Sequence, residues 1–131
     1  MIDLEADDDR LVTAFHRGTL TSFPHRDHVR VAWILLEQFG SDGALEAMRS
    51  GIRSMAIAAG LLAKYHETRT VAWMRVIDAA RTHPFTLSDE FVNAHPELLR
   101  AQLLDDFYSA EILRSDTARA VFTEPDRAPL P

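Results

Sequence analysis

Five residues in two short segments carry most of the chemistry this chain has to offer. The first segment is Phe23-Pro24-His25-Arg26-Asp27-His28, and the second is Tyr65-His66-Glu67-Thr68-Arg69-Thr70. His25 and His28 are three positions apart, which on a helix sets two side chains about 5–6 Å from one another on one face. Val29, Ala32, Leu35 and Leu36 continue that face, so both imidazoles are expected to turn inward, where each needs a polar partner. Both segments open helices. A helix start presents unpaired N–H groups and a positive dipole end, which favour neutral imidazole. Neutral imidazole is the form that ligates a metal or accepts a proton.

Three uses of this constellation follow. In the first, His25, His28 and His66 give three nitrogen ligands to a divalent transition metal, with Glu67 as a fourth ligand, a base for bound water or a partner to a histidine. In the second there is no metal. His66 and Glu67 act as acid–base groups on a small molecule that Tyr65, Arg69, Thr70 and Trp73 hold. In the third the same residues form a buried hydrogen-bond network inside a non-catalytic interaction protein. Enzyme and non-enzyme both stay open. One geometric limit applies: neighbouring residues in a helix diverge by about 100°, so His66 and Glu67 face one point only if the chain there is not yet helical. Arg69 suits a carboxylate or phosphate clamp and equally a solvated surface. Lys64 is the only lysine, so a Schiff base has one candidate.

The elements that must position these groups are helices. Leu4, Leu11 and Phe15 share a face, and Gly18 closes a first helix over roughly 7–17. Pro24 opens a second that runs to Gly40, with His25, Val29, Ala32, Leu36 and Phe39 at spacings of three and four. Ser41 caps a third, carried by Leu45, Met48, Ile52, Met55 and Ala59 up to Gly60. From about Tyr65 to Arg81 apolar residues spread around the circumference, which marks the central, most buried helix, with Trp73 in its interior. A short helix is expected after Thr86 or Ser88. Another begins at Pro96, stacking Leu99, Leu103 and Phe107 and leaving Asp105, Asp106 and Tyr108 as its exposed end. Ser115 starts a last turn through Phe122. His16 and His83 lie near helix C-termini and His95 beside Pro96, positions that suit capping. The reading is an all-α, single irregular bundle of about five to seven helices over 1–122, with an extended proline-rich tail at 123–131.

Composition narrows the function. At 131 residues the chain makes one core without staples, and 47% hydrophobic with 26% charged residues is ordinary for a globular domain. A net charge of −6, with Asp7, Asp8 and Asp9 in a row, argues against nucleic acid and anionic lipid as partners. The cysteine count is 0, which removes thiolate catalysis and cysteine-bound metal and fits a cytoplasmic setting. No secretory leader or membrane span is read from the sequence. A small-molecule ligand and self-association are the expected partnerships.

Phe23-Pro-His25-Arg-Asp-His28-Val-Arg-Val-Ala-Trp33, Tyr65-His66-Glu67-Thr68-Arg-Thr70, and Leu113-Arg-Ser115-Asp-Thr-Ala118-Arg119 with Glu124-Pro125-Asp126 and Pro129-Leu130-Pro131 together resemble a small family of uncharacterised bacterial proteins. The resemblance spans nearly the whole chain. It implies one domain centred on the same histidines and implies no substrate or mechanism.

Overall fold

The computed structural model describes residues 4–131, so the absence of a leader read at residues 1–3 and the placement of the Leu4 side chain lie outside it. Among the described residues there are six α-helices, three 3-10 turns and no strand, the all-α architecture expected. The helices are α1 (Leu4–Arg17), α2 (His25–Ala58), α3 (Glu67–Ala79), α4 (Ser88–Ala94), α5 (Ala110–Arg114) and α6 (Asp116–Ala120). Among the described residues no helix is long and apolar enough to cross a membrane.

The expected second and third helices are two arms of α2, joined at a kink. Gly40 sits there at φ 73°, ψ −177°, a conformation open essentially to glycine alone. Contacts along α3 give the path of the arms. His25 packs on Trp73 and Glu37 pairs with Arg81 at 3.4 Å. Past the kink the Ser41 hydroxyl donates to Asp78 at 2.5 Å, and Arg49 then reaches back to Glu67. The first arm thus passes α3 in its own direction and the second returns along it. Unbroken, 34 residues would make a rod of about 50 Å and could not do both.

α1 and α4 close the remaining sides. Phe15 of α1 lies so tightly on the second arm that a Cβ at Gly51 would stand 2.1 Å from its ring. Trp33 stacks on Phe91 of α4 with centroids 5.9 Å apart. Beside this apolar contact lies an ionic one. Arg30 of α2, whose side chain is only 11% exposed, reaches Asp7 at 2.7 Å, Asp8 and Asp27 at 3.2 Å and Asp89 at 3.4 Å. Burial pulls against its charge, but the hydrogen bonds to Asp7 and Asp8 hold its pKa above the ordinary value. Asp8 has a second task. Leu87 precedes α4 and has no side-chain acceptor, so Asp8 of α1 accepts from the Ser88 N–H at 2.8 Å and the Ser88 hydroxyl at 2.6 Å. The acidic run that sequence reads as a repelling surface therefore ties three helices.

The expected helix from Pro96 to Phe107 is not one helix. It is two 3-10 turns, Pro96–Leu99 and Leu103–Asp106, closed by bonds such as Leu98 N–H to His95 O and Phe107 N–H to Leu104 O. At three residues per turn the buried set becomes Leu98, Leu103 and Leu104, and Leu99 is left 40% exposed. Tyr108, read as an exposed end, is fully buried and donates its hydroxyl to Thr123 O at 2.7 Å. The proline-rich segment is non-helical, as expected, and Phe107 O accepts from Arg127 N–H at 2.9 Å while Asp126 accepts from Ser109 N–H at 2.8 Å.

Replacing Gly40 with alanine should cost about 1–3 kcal/mol in urea unfolding, because a Cβ there makes the backbone conformation strained. A neutral Gly40→Ala would mean that the kink does not need glycine.

Candidate functional site

The structure does not gather the histidines. His25 donates from Nε2 to the Leu98 carbonyl oxygen at 2.8 Å, and its ring stands edge-on to Trp73 with centroids 4.7 Å apart. His28 lies beside it at 6.4 Å, against Phe23 at 5.0 Å. Both face inward, as the i,i+3 spacing predicts. His66 is elsewhere. Trp73 is seven residues beyond it, roughly 10 Å along the helix axis.

His66 is also fully engaged. It is the N-cap of α3, with extended backbone at φ −132°, ψ 104°, and its Nδ1 accepts from Arg69 N–H at 3.1 Å. That acceptance leaves the ring proton on Nε2, which donates to Leu113 O at 2.7 Å. Burial, with Arg69 and Arg119 nearby, keeps its pKa below the ordinary value despite the Leu113 bond. Among the described residues no group of three or more histidine and carboxylate side chains is placed to hold a metal ion. The expected ligand set of His25, His28 and His66 is therefore corrected: two of its members spend nitrogens on backbone carbonyls of different segments.

The chain is indeed not yet helical at His66, but this turns it and Glu67 apart rather than together. Glu67 faces the second arm of α2. Arg49 grips it in a fork, Nε to Oε1 at 3.0 Å and a terminal nitrogen to Oε2 at 2.6 Å, while the Tyr65 hydroxyl donates to Oε1 at 2.6 Å. Arg49 bonds Glu46 as well. The fork and the phenol hold the Glu67 carboxyl below its ordinary pKa. The same fork raises Arg49, and burial together with the bond to Glu67 raises the Tyr65 phenol. Arg53, one turn beyond Arg49, lies over the Tyr65 ring at 5.6 Å.

These residues wall a cleft of about 450 Å³, bounded by Arg49, Arg53, Tyr65 and Glu67 on one side and by Asp116 and Arg119 of α6 on the other, with Leu62, Ala63 and Ala120 as its apolar surface. Arg119 donates to Ala63 O at 3.3 Å, bridging the two sides. Of the residues expected to hold a ligand, Tyr65 lines this cleft, beside Glu67, which was expected as an acid–base group. Thr70 is buried and returns its hydroxyl to His66 O at 3.0 Å, Trp73 is buried under His25, and Arg69 is exposed outside the lining. Sequence reading gave no role to Arg49, Arg53, Asp116 or Arg119. A signal existed for the first two: they are four apart, off the Leu45–Met48–Ile52–Met55 stripe, and so share a polar face. For Arg119 there was none, because its partners are 56 residues away.

No protein-family model, no curated protein and no solved structure matches the chain.

Two tests follow from this geometry. Burial, reinforced by His25, lowers the His28 pKa from 6.5 to about 4. The unfolded chain then binds the extra proton between those values, so stability contributed by neutral His28 is complete above pH 6.5 and is lost as pH falls towards 4, to the extent of about 2–3 kcal/mol. Urea titrations at pH 7 and pH 4 should show that excess loss in the parent over His28→Leu, and equal losses would remove the assignment. The double engagement of His66 predicts a graded series. His66→Ala should cost about 2 kcal/mol, whereas His66→Asn, which restores the cap but does not reach Leu113, should cost about half as much. An alanine variant as stable as the parent would show that His66 locks nothing.

Proposed function

We propose that the protein binds a small molecule in the cleft at the start of α3, and that the histidines hold the frame around it. The observation that carries this reading is the Tyr65–Glu67–Arg49 chain of charge-assisted hydrogen bonds, which forms one wall of an open, mixed polar and apolar cleft. The cleft is within the volume range of small-molecule sites. Its chemistry favours recognition over proton transfer. A carboxylate with a lowered pKa, already accepting from a guanidinium and a phenol, is a weak base, and Tyr65 with a raised pKa keeps its proton near neutrality. What such a network supplies is a fixed wall, since each of its members is locked by the next. The absence of cysteine in the sequence supports a reducing, cytoplasmic setting as part of this reading.

A second reading, a non-catalytic interaction protein in which the polar residues only lock helices, draws on the His25–Leu98 and His66–Leu113 bonds. The two readings part at Glu67. Amide correlation spectra of the labelled protein, recorded against a library of small polar fragments, should give hits that shift Leu62, Ala63, Glu67 and Ala120 and whose affinities change severalfold in Glu67→Gln, which unlocks the Arg49–Tyr65 wall. Fragments that shift none of these amides, with a Glu67→Gln that is chiefly destabilised, would leave the locking network as the function of these residues.

A further inference from the structure

Resting on the cleft being a ligand site, we propose that its ligand is a small organic monoanion whose carboxylate is received by Arg119 and Arg53. The protein is selective in how it pairs its arginines. Five of them are partly buried: Arg26, Arg30, Arg49, Arg81 and Arg119. The first four are each ion-paired, with Asp89, the Asp7–Asp8 cluster, Glu67 and Asp78 respectively. Arg119 alone has no carboxylate among the described residues. Among the described residues its one side-chain hydrogen bond is the 3.3 Å contact to Ala63 O, and its Nε is buried with no acceptor. A guanidinium that lines the cleft without a carboxylate partner offers its remaining terminal N–H groups to a ligand oxygen.

The rest of the lining agrees in charge. Three guanidinium groups and two carboxylates face the cleft, and Glu67 is consumed by Arg49 and Tyr65. Arg53 makes no ion pair among the described residues; its contact is the Tyr65 ring. In a chain of net charge −6 this is a locally cationic cleft. Asp116, exposed at its rim and likewise without an ion pair among the described residues, opposes a second negative charge. That selects a monoanion over a phosphate dianion, and a planar carboxylate matches the fork of a guanidinium. Leu62, Ala63, Ala120 and the Tyr65 ring then face a small apolar body attached to the carboxylate.

The experiment is a titration of the full-length labelled protein, at constant ionic strength, with benzoate and butyrate, with their neutral isosteres benzamide and butyramide, and with inorganic phosphate. The carboxylates should shift the Ala63 and Ala120 amides and the Arg119 side-chain Nε–H resonance. The amides and phosphate should bind at least tenfold more weakly. Arg119→Gln should weaken benzoate at least tenfold, and because that change also removes the Ala63 bridge, Arg53→Gln serves as the second variant. Arg53 is exposed and among the described residues its one side-chain contact of this kind is the Tyr65 face, so its variant should fold as the parent does while losing severalfold in benzoate affinity. Amides that bind the cleft as tightly as carboxylates would overturn the anion assignment and leave the pocket standing. Phosphate binding more tightly than benzoate would overturn the carboxylate. Probes and fragments that all leave these resonances unmoved would remove the pocket itself.

Discussion

The break at Gly40 is the constraint on which the rest of the molecule depends. A stretch of 34 residues becomes useful to a small bundle only when it folds back, and the glycine-only backbone conformation at Gly40, where one helical arm gives way to the next, is what lets it do so. The consequence is that one element flanks α3 twice. Its first arm brings His25 to the middle of α3 at Trp73, and its second brings Arg49 to the start of α3 at Glu67. The cleft exists because of the second arm. One side of it is the meeting of that arm with the 3-10 turn Leu62–Lys64 and the extended residues before α3.

The same logic governs the charges. Burying a guanidinium is tolerable only when carboxylates or carbonyls meet it, and the protein assigns them almost completely. Arg30 receives the acidic run of α1, which thereby also caps α4. Arg49 receives Glu67. His25 and His66 are treated in the same way, each spending a nitrogen on a backbone carbonyl left open at a helix end or turn: Leu98 in its 3-10 turn and Leu113 in the last turn of α5. Polar groups here stitch segments that are too short to pack on their own. α5 and α6 are five residues each, below the length at which a helix is stable in isolation, and His66, Ser109 and Ser115 hold them by side-chain bonds.

How much of this the sequence discloses depends on the range of the interaction. Gly40, Pro24, Ser115 and the apolar stripes act over three or four residues, and they located the arms of α2, the central helix and the final turn. The region from Pro96 to Tyr108 was misread because a leucine stripe looks alike in α and 3-10 form until the packing of Leu98 and Tyr108 decides between them. Tyr65 and Glu67 were visible as a site by residue type alone, but their partner was not: Arg49 is eighteen residues away, and Arg119 is brought to the cleft only by the return of the chain after α5. The histidines drew attention for a sound reason, that inward imidazoles need partners. A single sequence gives no means of telling a metal from a backbone carbonyl as that partner.

This division explains why the chemically suggestive residues and the cleft-lining ones differ. His66 makes a cap at the start of α3 for the same reason that an imidazole makes a ligand: its Nδ1 lone pair is free to accept. Once both nitrogens of His66 are committed, the imidazole is no longer free to act on anything else. Arginine with a buried, unanswered N–H is the opposite case. Its charge cannot be removed by deprotonation and its donor geometry is fixed, so a site that leaves one unpaired stores an unmet demand for an acceptor. In this bundle that demand lies at Arg119, on the rim that α6 contributes, and not at the histidines.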